Sequence, residues 1–387
     1  MAAVTACAGT VPGASSADPG ATATAVASAA PAAVASAVTS HVKKTSPHAP
    51  RTAVPGKTAP RMRATSSGST LPAAGNPGGG ATVPSAGQEV VTTRPDHVIG
   101  NGTPASCTSA AVVAAVAAGG VITFSCGPDL VTITMTATAT VANTSHRVVL
   151  DGGGKVTLSG GGTTQILSMN AGWEQQWPQL VVQNLTFTGA YSGTAQTKGS
   201  SVYGGGAIFD EGGQLKVVDS AFVADSCYAS GPDLGGGAIR AVGMYPASPV
   251  YITDDTFRQD SCSNGGALSG LFAGFDVINS VLTDNKAIGW GANPAAAGTA
   301  GGGSGGAIYT DGAQYDLSVT GTVMRGNTAR EGGGGIFFVV NSGGGTLQIA
   351  SSTLHDNPSG EFQNAPGIFD SVNGHEAQPV VVSSSIG

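Results

Sequence analysis

The chain has 387 residues, only 10% of them charged and 61 of them glycine. Up to residue 95, seven lysines and arginines stand against Asp18 and Glu89; from Asp96 onward nine stand against 21 acids, a balance of −12. The acidic portion argues against nucleic acid as a partner, and no run of 18 apolar residues exists to cross a bilayer.

The first residues, "VTACAG", resemble the lipobox of bacterial lipoproteins, which implies acylation at Cys7 and a leader upstream, since no charged or apolar stretch precedes it. Residues 1–95 are Ala, Pro, Ser, Thr and Val with scattered positive charge. That composition buries too little surface to offset ordering entropy, so the segment reads as a disordered tether. Within 96–126, "TSAAVVAAVAAGG" reads as a short helix, capped by Thr108 or Ser109 and stopped by Gly119, plugging the first of the repeats that fill 127–387.

Without Cys7 four cysteines remain: Cys107, Cys126, Cys227 and Cys262. Cys227 and Cys262 each close a "DSC" triplet, which suggests equivalent positions on neighbouring repeats. Adjacent parallel strands lie ~4.8 Å apart, within the ~4.4–6.8 Å that a disulfide requires between Cα atoms. Cys227–Cys262 is therefore expected, and Cys107–Cys126 follows as the remaining pair. A zinc site lacks paired CxxC spacing and a nearby histidine.

Glycine-led starts recur: "GGAIFD", "GGAIRA", "GGALSG", "GGAIYT", "GGGIFF" and "PGIFD", with spacings of 31, 29, 40, 28 and 32 residues. Each is followed by a second phrase ("FVAD", "FRQD", "LTDN", "MRGN", "LHDN") that puts Asp225, Asp260, Asn285, Asn327 and Asn357 in register. Short β-rich runs at a fixed period, with no helical pattern, predict an all-β solenoid. Glycine at the starts permits positive φ and close backbone approach at corners, and the Asp/Asn positions suit a hydrogen-bonded ladder.

Gly205-Gly206-Ala207-Ile208 and the phrases Phe257–Asp260 and Leu282–Asn285 resemble the repeats of chlamydial polymorphic membrane proteins, which are surface adhesins. More broadly, roughly residues 105–387 resemble right-handed parallel β-helix proteins of the pectin-lyase-like superfamily. The resemblance implies that fold, a short N-terminal capping helix, and either adhesion or polysaccharide cleavage. Lyases on this fold use an Arg, Lys or His base, commonly with Ca²⁺ held by acids on neighbouring coils.

Alternation directs Phe209, Arg240, Ser269, Tyr309, Phe337 and Phe369 outward, a row that reads as a sugar-binding platform or as a surface covered by loops. A second row carries Arg258, Arg325 and His355 beside Asp284, the residue types an acidic polymer would require. Asp225 and Asp260 would hold Ca²⁺ if they do not find backbone donors; no other cofactor is expected. The corner with the longest insertion carries Trp290, and Trp173 and Trp177 form a similar lip earlier. Polygalacturonase-type signatures are missing: only Asp254-Asp255 matches one. The reading is an exported protein, extracellular or in the cell envelope, that binds polysaccharide or glycan without cleaving it. It touches a membrane only through a lipid anchor. The alternative is a polysaccharide lyase or glycoside hydrolase acting on uronic-acid polymers.

Overall fold

A computed structural model describes residues 71, 73–193, 203–232, 234–291 and 301–387. The chain divides into two units, Met1–Ala64 and Thr65–Gly387, and all the described residues belong to the second.

Short strands pair in parallel with their counterparts one repeat away, building stacked sheets compatible with a β-solenoid. The first face is a nine-stranded sheet that includes Ile208–Glu211, Ile239–Val242, Leu268–Leu271, Ile308–Gly312, Ile336–Val340 and Ile368–Val372. The second face carries Gln214–Val218, Val250–Thr253, Phe275–Ile278, Leu317–Thr320 and Leu347–Ala350. The third carries Ala221–Val223, Thr256–Arg258, Val281–Thr283, Val323–Arg325 and Thr353–His355. In the early coils, Arg147–Ser159 and Gln179–Thr188 run through both faces as single long strands.

The glycine-led starts do two jobs. Gly205, Gly236, Gly265, Gly305 and Gly333 hold φ between 53° and 74°, so the corner is left-handed at the same place in each coil. The glycine that follows each has no room for a side chain: a Cβ on Gly237 would collide with the Gly266 carbonyl of the next coil.

The lumen is filled by residues in register. Ile208, Ile239, Leu268, Ile308, Ile336 and Ile368 are all fully buried in one column. Phe187, Phe222 and Phe257 stack with ring centroids 4.8 and 4.7 Å apart. Two polar ladders bind coil to coil. Asp225 Oδ1 accepts from Ala190 N, Asp260 Oδ1 from Asp225 N and Asn285 Oδ1 from Asp260 N, at 2.8–2.9 Å, and Asn327 and Asn357 continue the series. A second ladder of Ser220, Asp255, Ser280, Thr322, Ser352 and Ser384 does the same at the corner between faces two and three.

The helix Ser109–Ala118 closes the first coil, with Thr108 as its N-cap and Gly119 as its C-cap. Disulfides join Cys107 to Cys126 and Cys227 to Cys262, with Cα separations of 5.7 and 4.7 Å. They fit an oxidising, extracellular environment. Among the described residues no helix is long and apolar enough to cross a membrane.

Residues 73–95 belong to the segment expected as a tether over 1–95. From residue 73 the chain packs on the solenoid as a strap that runs out along a corner and returns across the second face. Gly75 N donates to Thr256 Oγ1 (3.0 Å) and Asn76 Nδ2 to Gly321 O (2.8 Å), while Asn279 exchanges two bonds with Ala81. On the return, Lys216 Nζ donates to Gln88 O (2.6 Å), Gln183 exchanges two bonds with Val90, and Thr92 Oγ1 donates to Asp151 Oδ2. The strap has few large apolar side chains because its backbone supplies the contacts. Composition therefore could not reveal it.

Candidate functional site

The outward row of the first face is in register from Phe209 through Arg240, Ser269, Tyr309 and Phe337 to Phe369. It is not an open platform. Phe209, Arg240, Ser269 and Phe337 are buried, and Tyr309 and Phe369 are half-buried. The rings also use their faces on one another: Tyr309, Phe337 and Phe369 stack at 5.0 and 5.2 Å, and Phe362 meets Phe369 edge-on at 4.8 Å. A sugar approaching this stack meets ring edges, not the faces on which sugars stack. Arg240 donates to Ser269 Oγ within the covered centre of the row.

The row opens again at its N-terminal end. There Thr140, Ser168 and Phe209 form the floor of a groove of about 540 Å³. Tyr191 and Tyr203 line it together with the hydroxyls of Thr138, Thr163, Thr164 and Ser192, the amides of Gln165 and Asn170, and the carboxylate of Glu211. Several of these groups are held by hydrogen bonds. Gln165 Nε2 donates to the carbonyls of Gly204 and Gly205 (3.0 and 2.8 Å), and Asn170 Nδ2 donates to Glu211 Oε2 (3.2 Å). Tyr203 packs against the small apolar cluster of Cys227, Leu234 and Cys262, so the disulfide supports a wall of the groove. Among the described residues of the lining, Glu211 is the only carboxylate and there is no lysine, arginine or histidine.

Arg258, Arg325 and His355 occupy one column of the third face, with Thr283 between the two arginines. Arg258 is exposed there. Arg325 Nε is paired with Asp356 Oδ2 at 3.1 Å, with both side chains about two-thirds exposed. Asp284 lies at the adjacent corner with φ 58°. These residues share a face but converge on no common point, and none lines the groove.

Asp225 and Asp260 are fully buried, and each has one oxygen bound to a backbone N–H of the preceding coil. Burial raises both carboxyls above their ordinary range, and the charge of Asp225 raises Asp260 further. No group of three acidic, histidine or cysteine side chains able to hold a metal occurs among the described residues. Trp290 is half-exposed and donates from Nε1 to Glu361 Oε1 at 3.4 Å. Trp173 packs edge-on to Phe272, and Trp177 lies against His146. Cys7 lies outside the described residues.

The chain matches no family model, no curated protein and no solved structure. The site is therefore read from its own geometry. Of the groove, only Phe209 stood out in the sequence. Tyr203, Gly204 and Glu211 flank the first glycine-led phrase, and the other lining residues come from irregular early coils, where the repeat phrases that align positions in later coils are absent.

Proposed function

We propose that the protein is a right-handed parallel β-helix of the pectin-lyase-like type that binds extracellular polysaccharide in the first-face groove and does not cleave it. Right-handedness follows from the strong preference of parallel crossovers for that hand, and the family reading from the glycine-led repeats. The observation that carries the function is the composition of the groove. Aromatic, hydroxyl and amide groups suit a sugar chain, and among the described lining residues Glu211 has no second acid with which to act. Glycoside hydrolysis ordinarily uses two carboxyl groups flanking the scissile bond, and among the described residues the lining offers Glu211 alone; the Arg, Lys or His base expected of a lyase on this fold is likewise missing from the described lining. The exposed cations of the third face lie outside any such pairing, and Arg325 is already matched by Asp356. Secretion is consistent with the two disulfides, and acylation at Cys7 would hold the domain at a membrane surface.

Binding is tested on an array of neutral and acidic polysaccharides with the wild type, Tyr203→Ala and Glu211→Gln. Retention of one polymer class, weakened roughly tenfold (about 1.4 kcal/mol) by each substitution, is the expected result. Retention unaffected by either change would move the site elsewhere on the surface.

A further inference from the structure

The strap that crosses the second face carries a single acidic residue, Glu89. Glu89 and Asp219 line opposite sides of a cavity of about 340 Å³ between strap and solenoid, whose other walls include Leu71, Ala73, Ala74 and Leu185. Asp219 sits at the corner between faces two and three, with φ 48°. Asp254 occupies the same corner one coil on, with φ 55° and Asp219 N bonded to the neighbouring Thr253 O. A carboxylate of the strap and one of the solenoid therefore share this cavity, with Asp254 stacked one coil on from Asp219. Asp255, adjoining Asp254, is buried within the ladder.

The charges around them do not offset this. Lys216, the nearest cation on the same coil, directs its ammonium to the Gln88 carbonyl. Among the described residues, the one donor to Glu89 is Asn184 Nδ2, at 2.6 Å, which also reaches Asp151 Oδ1 at 3.3 Å. No ion pair among the described residues involves Glu89, Asp219 or Asp254.

We propose that the strap is a pH-dependent latch, closed over the second face at mildly acidic pH and loosened once Asp219 and Asp254 are ionised and repel each other and the Glu89 carboxylate of the strap. The rest of its attachment suits such a device. Its hydrogen bonds run largely between solenoid side chains and strap main chain, so the strap can detach without removing apolar residues from the lumen. Detachment would expose Gln183, Lys216 and Thr253, all now buried.

The direction follows from linkage. Burial, then Glu89 and then Asp254, raise Asp219 to about 6. Burial also raises Asp254. The closed strap thus retains a proton that an open one would release. Closure is fully favoured below ~4, the ordinary carboxylate range, and weakens as the pH rises through about 6. Asp219 is exposed, so solvent screening reduces the effect to no more than roughly tenfold overall.

Hydrogen exchange of the full chain at pH 5 and pH 8, corrected for intrinsic rates, tests this. Protection of residues 73–92 relative to the third-face strand Val281–Thr283 should fall about tenfold between the two pH values. Asp219→Asn should remove most of that fall, since asparagine tolerates the same left-handed backbone. Glu89→Gln should do likewise, and it lies on the strap, where it leaves the lumen intact. Equal relative protection at both pH values, or an undiminished fall in both variants, would overturn the latch.

Discussion

Asp210, Asp255 and Asp260 are carboxyl groups held where water cannot solvate their charge. Asp210 points into the lumen between Met169 and Ala241 of the adjacent coils, and neither of its oxygens has a hydrogen-bond partner. Burial raises all three well above the ordinary carboxylate range. A raised folded pKa means that the folded state holds the proton more tightly than the unfolded chain. The stability these groups contribute is fully present below ~4 and is lost as the pH rises toward their folded values. The urea midpoint should therefore be lower at pH 8 than at pH 5. Asp210→Leu should raise stability at pH 8 by about 1–3 kcal/mol, because it removes an unsatisfied polar group from an apolar site. Asp260→Asn should flatten the pH dependence, because asparagine already fills the same ladder position at 285, 327 and 357. At Gly237 the reverse holds: alanine meets the Gly266 carbonyl and should cost about 1–3 kcal/mol in chemical denaturation.

The coil is the element of this molecule, and its parts differ in how well the sequence announces them. Ile208, Ile239 and Leu268 could be aligned by eye, because the same glycines precede each one and the corner fixes where alternation begins. The Asp225–Asn357 ladder was legible for the same reason. The Ser220–Ser384 ladder was not. Serine, threonine and aspartate substitute for one another there, since each needs to supply only one acceptor oxygen to the coil before. The strap was hidden for a related reason: its partners Gln183, Lys216 and Asn279 lie 93 to 198 residues away and bind its main chain. Within a coil, the Phe187–Phe222–Phe257 stack contributes most by volume, and Phe222→Ala should destabilise by about 3–5 kcal/mol in thermal or urea unfolding. The Cys227–Cys262 bridge closes 35 residues, so its loss should cost roughly 3–4 kcal/mol. Because Tyr203 packs on it, replacing both cysteines by serine should also weaken polysaccharide binding, which separates this bridge from Cys107–Cys126 at the capping helix.

Over the whole molecule, the three faces divide the work. The second face lies under the strap and the third is open and dotted with cations, while the first face is closed in its middle and open at a groove. The candidate site was less legible than the fold. Alternation correctly placed Phe209 and Tyr309 on one outward column, but it could not show that the aromatic rings stack on each other and withdraw their faces from solvent. Nor could it show that the open part of the column lies among the early coils, whose strands are long and whose corners lack the repeat phrases. The central claim is that this groove binds a polysaccharide and leaves it intact. The most direct test takes the polymer that the protein retains most strongly, incubates it with the protein with and without Ca²⁺, and measures new reducing ends and unsaturated products alongside bound protein. Saturable binding with no product is the predicted result. Product release that persists in Glu211→Gln but is lost on replacing Arg258, Arg325 or His355 would contradict it and place an active site on the third face.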